Sequence, residues 1–100
     1  MDDPTAIIDC LTARIVPEPT FEEANAWWDD IQRLAPHVEA HFGPTSPEGG
    51  ALGVARSAIV QAAMAAEGDG DFDAASLGGS LVMLRMSLQK RGARWPAATS

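Results

Sequence analysis

At 100 residues, the chain has room for three or four helices around one core and hardly for a second domain. Its 7 Lys and Arg against 14 Asp and Glu give a formal charge of −7, which disfavours a nucleic-acid backbone as partner. No stretch reaches the ~18–20 consecutive apolar residues that span a bilayer. The single Cys10 excludes an internal disulfide framework and suits a reducing compartment. The acidic start Met1-Asp2-Asp3-Pro4 is unlike the basic start of a signal peptide, so a cytoplasmic protein is expected.

Proline and glycine divide the chain into four helical segments. The first is predicted from about Pro4 to Val16, with Pro4 in the first turn and Ile7, Ile8, Leu11 and Ile15 at helical spacing. Cys10 within this segment reads as a small buried hydrophobe rather than a nucleophile. Pro17-Glu18-Pro19 forbids continuation, because neither proline has an amide hydrogen to donate.

Thr20-Phe21-Glu22-Glu23 has the spacing of a capping box, with Thr20 as N-cap and Glu23 reaching back to its amide. Phe21, Ala24, Trp28, Ile31, Leu34, Ala35, Val38 and Phe42 then recur on one broad face, which puts Trp28 inward and Trp27 at the edge. Gly43-Pro44 is the predicted stop. Pro36 denies the Gln32 carbonyl its helical donor, which predicts a kink near Pro36 or two shorter helices meeting there.

Ser46-Pro47-Glu48 opens a third helix, weakened in its first turn by Gly49-Gly50, with Leu52, Ala55, Ile59, Ala62, Ala63 and Ala66 as its inward stripe. The last helix is predicted from about Phe72 to Arg91, with Asp71 as cap and Gly92 as stop. Leu77, Leu81, Leu84 and Leu88 form one stripe, while Phe72, Ala75, Gly79, Val82, Met83 and Met86 occupy much of the opposite side. A helix apolar on both sides is either central to its bundle or covered by a partner. Gly78-Gly79 costs the helix about 1 kcal/mol per glycine, which a close crossing can offset unless the pair marks a break. The expected fold is all-α: a small four-helix, bundle-like domain over residues 1–92, followed by a tail over 93–100.

Charge is unevenly spread. Residues 1–50 hold ten acids and two arginines, a net −8; residues 51–100 hold four acids and five bases, a net +1. Such a dipole favours a basic partner for the first half, or attraction between copies, although ordinary solubility with C-terminal cations on a helix dipole is the preferred reading.

Few constellations suggest chemistry. His37 and His41 lie one turn apart, and on a straight wheel Glu23 and Asp30 line up with them, as in a helix-borne site for Zn²⁺ or Fe²⁺. Two histidines supply only two firm ligands, and Pro36 interrupts the wheel, so a solvated polar face is the preferred reading and no metal or cofactor is expected. Asp69-Gly70-Asp71-Phe72-Asp73 opens like a calcium loop but has Ala74 and Ser80 where such a loop needs glycine and glutamate. Leu77-Gly78-Gly79-Ser80-Leu81 approaches an acyl-carrier attachment site but lacks its aspartate. Helix-turn-helix recognition fails for want of a basic, base-reading helix.

The run Leu34-Ala35-Pro36-His37-Val38-Glu39 resembles the Leu-x-Pro-x-Val-Glu segment of a family of small helical actinobacterial proteins. Their function is unknown and they are labelled natural-product-biosynthesis proteins. Ala55-Arg56 and the Leu77–Leu88 helix extend the resemblance over residues 28–91, although Gln32-Arg33 stands where the family has Gly-His. The resemblance implies a cytosolic helical protein associated with a biosynthetic pathway, and supplies no catalytic residues.

Two functions are carried forward. The first is a non-enzymatic interaction or accessory protein that forms a homodimer or binds a protein partner through the two-faced last helix, with Trp27, Val82, Met83, Met86 and Trp95 at the interface. The alternative is a small ligand-binding or cofactor-free catalytic protein. Its pocket would lie between the second and fourth helices, lined by Trp28, Phe42 and methionines, with His37 or His41 as general base.

Overall fold

The computed structural model describes residues 3–43 and 45–99, of which 91–99 are described as backbone alone. Four helices account for the fold, as the punctuation predicts: α1 (Pro4–Arg14), α2 (Phe21–Phe42), α3 (Pro47–Ala66) and α4 (Ala74–Thr99). Among the described residues no helix is long and apolar enough to cross a membrane.

Local chemistry sets the helix ends. Asp3 caps α1 by accepting from the Thr5 amide at 3.0 Å. On α2 the capping box closes both ways: Thr20 Oγ1 accepts from the Glu23 amide at 3.1 Å, and the Thr20 amide donates to Glu23 Oε1 at 2.9 Å. Gly43 ends α2 at φ +87°, a backbone region that strongly favours glycine. Ser46 accepts from the Gly49 amide at 3.0 Å, and α3 is helical from Pro47 onward, through Gly49-Gly50.

α4 departs from expectation at both ends. Its cap is Asp73, whose carboxylate accepts from the Ala75 amide at 3.0 Å and the Ser76 hydroxyl at 2.9 Å, not Asp71. The backbone helix runs past Gly92 to Thr99, a stretch in which Ala93, Ala97 and Ala98 favour helix intrinsically. The Gly78-Gly79 pair makes no break.

α2 is one continuous helix rather than two. Pro36 is exposed, so the Gln32 carbonyl that loses its helical donor lies on the water side.

The helices pack as a ring: α1 on α2, α2 on α3, α3 on α4, and α4 back on α1. α2 and α4 therefore stand on a diagonal, and α3, not α4, joins the two most extensive seams. The core is built from Ile7, Ile8 and Leu11 of α1; Trp27, Ile31, Leu34 and Val38 of α2; Leu52 and Ile59 of α3; and Leu77, Leu81, Leu84 and Leu88 of α4. Ala51, Ala55, Ala58 and Ala62 complete the inward face of α3, and their small side chains let the flanking helices approach.

Each seam also carries a polar contact. Arg14 of α1 pairs with Asp30 of α2. Arg56 of α3 donates to Gln32 Oε1 of α2 at 3.4 Å. Ser87 of α4 donates to Glu48 of α3 at 3.0 Å. Arg85 of α4 donates to Asp9 of α1, from Nε at 2.5 Å and Nη2 at 3.3 Å.

Candidate functional site

α4 presents two unlike faces. Its leucine stripe is sealed into the core, with Leu77, Leu81 and Leu84 wholly buried. On the opposite side Val82, Met83 and Met86 are 52%, 38% and 62% exposed, and together with Gly79, Gln89 and Lys90 they border a shallow concavity. At about 100° per residue, Gly79 and Met86 lie diametrically opposite the leucines, with Val82 and Met83 flanking them. A methyl group added at Gly79 would meet nothing within 4 Å, so no neighbouring helix crosses closely there. Of the side chains expected at the interface, Val82, Met83 and Met86 share this open face; Trp95 lies outside the described side chains.

Trp27 does not belong there. It is 1% exposed and at the centre of the α2 core stripe, its ring against Phe72. Trp28 is the half-buried member of the pair and Phe21 is 45% exposed, the reverse of the expected inward face. The reason is that α2 has neighbours on both sides. Packing against α1, which reaches Asp30 through Arg14, and against α3 widens the buried arc and centres it on Trp27, not on the aromatics Phe21 and Trp28.

Those two aromatics line a second feature. A groove of about 320 Å³ runs between α2 and α3, with Phe21, Trp28, Val60 and Met64 as its apolar walls and Glu67 and Asp69 at its rim. The expected pocket between α2 and α4 is thus replaced by one between α2 and α3, because the helices of a diagonal share no surface groove. Phe42 packs against the core and lines none of this groove, and neither histidine does.

The Asp30, His37 and His41 constellation is not assembled. Asp30 is 6% exposed and its carboxylate is taken by two guanidinium groups, those of Arg14 and Arg33. His37 and His41 are half-buried, His41 with its ring 6.2 Å from that of Phe42. Among the described residues no three His, Cys, Asp or Glu side chains gather as a metal centre requires. Cys10 is exposed rather than buried, since it falls well off the face formed by Ile7, Ile8 and Leu11.

The Asp9–Arg85 pair has an electrostatic signature. The hydrogen bonds from Arg85 hold the Asp9 carboxyl below its ordinary value, and the carboxylate in turn raises the Arg85 guanidinium. The pair lies on the flank of α4 that faces α1 and leaves the open face to Val82, Met83 and Met86.

Comparison with protein-family models, curated proteins and solved structures finds no match for this chain.

Proposed function

We propose that this protein is a non-enzymatic interaction module whose working surface is the outer face of α4, used either to pair with a second copy or to hold a partner protein. The observation that carries this reading is the contiguous exposure of Val82, Met83 and Met86 on a helix whose other face is already buried. Methionines supply pliable apolar contact area, and three large apolar side chains on one open helix face gain by being covered. The resemblance over residues 28–91 adds a setting: an accessory role in natural-product biosynthesis.

The test is Met86→Glu, a change at an exposed position that leaves the helical signal intact. The wild type is expected to self-associate or to co-purify from its host with a stoichiometric protein, and Met86→Glu to lose that association. Identical sedimentation and identical co-purifying proteins for the two would overturn the reading.

A second reading has its own observation, the α2/α3 groove. With aromatic walls and two acids at the rim, it suits a small amphiphilic cation, its apolar body against Trp28 and Met64 and its charge near Glu67 and Asp69. Calorimetric titration with benzyltrimethylammonium is expected to show binding that Trp28→Ala abolishes. A wild type that gives no heat would remove this alternative.

A further inference from the structure

We infer that the occupant of the α4 face is a second copy of this chain, lying antiparallel, with Met86 of each copy seated over Gly79 of the other. The inference rests on the proposed use of the α4 face and adds to it the identity and direction of the partner.

Two independent features of α4 converge on this arrangement. The first is shape. Gly79 and Met86 occupy the same outward line, separated by seven residues, with Val82 and Met83 between them. A two-fold axis passing between Val82 and Met83 places Gly79 of one helix opposite Met86 of the other, and does so twice. The most exposed side chain of the face then meets its smallest. Nothing inside the molecule accounts for a glycine here: its φ is not positive, and a Cβ added to it would meet open space. Gly50, Gly53 and Gly78 share these open surroundings; Gly79 differs in standing on the outward line with Met86, where the missing side chain leaves room for close approach from outside.

The second feature is charge. α4 is preceded by Asp69, Asp71 and Asp73, and its far half carries Lys90, Arg91 and Arg94 in the sequence. Lys90 borders the apolar face and makes no ion pair among the described residues. Antiparallel pairing about the same axis brings Lys90 of one copy to Ala75 of the other, within reach of the Asp71–Asp73 end, at both ends of the interface. The helix dipoles oppose as well. Parallel pairing instead stacks acids on acids, bases on bases, and Gly79 on Gly79. Charge therefore selects both a second copy and its direction.

One helix face is a small interface, at or below the ~1,200 Å² low end for specific complexes, so the pair is expected to be weak and concentration-dependent. In a Cys10→Ser background, Val82→Cys is expected to give a disulfide-linked dimer on mild oxidation. Met86→Cys alone is expected to give none, because the two Met86 positions lie about 10 Å apart along the axis, beyond disulfide reach. Mixing Gly79→Cys with Met86→Cys protein is expected to restore the cross-link. Gly79→Leu, which improves the helix of the monomer, is expected to weaken sedimentation-measured dimerisation by about tenfold or more.

Self-linking of Met86→Cys as efficient as that of Val82→Cys overturns the antiparallel arrangement, and Gly79→Leu dimerising as tightly as wild type overturns the register. A wild type that sediments as a monomer at millimolar concentration overturns self-pairing altogether. That last result leaves the broader reading to its own measurement, the loss of a co-purifying protein on Met86→Glu.

Discussion

The ring of Phe72 stands 5.7 Å from that of Trp27, centroid to centroid, tilted by 42°. Phe72 lies in the connection before α4, and Trp27 lies in the core stripe of α2, so the approach to α4 is clamped onto a helix that α4 faces only across the diagonal. Phe72→Ala removes this cover. Phe72 is half-buried, so the expected loss is about 1–2 kcal/mol, below the 3–5 typical of a fully buried aromatic. Urea unfolding followed by tryptophan fluorescence reads the loss, and an unchanged midpoint would contradict it.

Asp30 is the buried carboxylate at the α1/α2 seam, held by Arg14 and Arg33. Asp30→Ala leaves two cations facing each other over a desolvated site. Both arginines are exposed enough to turn toward water, so the expected destabilisation is about 2 kcal/mol rather than the 3–5 of a fully enclosed pair. Arg14→Met is expected to cost less than Asp30→Ala, because Arg33 remains on the carboxylate. Chemical denaturation of the two variants checks the order.

Acid is expected to weaken the fold through three carboxylates. Asp3 is held below its ordinary value by the Thr5 hydroxyl and amide, Asp9 by Arg85, and Asp73 by the Ser76 hydroxyl and the Ser76 and Ala75 amides. A carboxyl lowered on folding contributes fully above its unfolded value, which is 3.8 for aspartate, and that contribution is lost as pH falls through the folded value. The melting temperature is therefore expected to hold near neutral pH and decline below about pH 4. Asp73→Ala should flatten that decline while lowering the neutral-pH value. Asp9→Asn should do likewise, with a neutral-pH effect that shrinks in ~1 M salt because the pair is exposed.

Pro36 is the one proline inside α2. Pro36→Ala returns an amide donor to the Gln32 carbonyl and removes a ring that crowds it. The expected result is a gain of about 1 kcal/mol or more in unfolding free energy. A loss instead would mean that the proline's geometry seats Ala35 and Val38 in the core.

What the sequence made legible was local. The Thr20–Glu23 box and the Ser46 cap could be read because both partners lie within one turn. The two faces of α4 could be read because Leu77 to Leu88 and Val82 to Met86 follow different phases of one period. Information from other helices was not legible. Trp27 and Trp28 differ by one step on the wheel, and α1, folding against one side of α2, decides between them. Asp30 looked like part of a polar face because its partner Arg14 arrives from a different helix. The groove was expected on the wrong seam because periodicity sets each helix's inward side but not the order of helices around the ring. Asp71 was expected as the cap of a helix opening at Phe72, but α4 opens at Ala74, which puts Asp73 in the capping position.

The alanines of α3 make that helix a thin partition. Ala55 and Ala62 are wholly buried, and α3 is the element against which both α2 and α4 rest. A wall so thin has no slack on either side: a larger residue in its middle displaces α2, which forms half of the Phe21–Trp28 groove, and α4, which carries the methionine face. The two surfaces share no residue, yet they are mechanically joined through side chains of a single methyl group each.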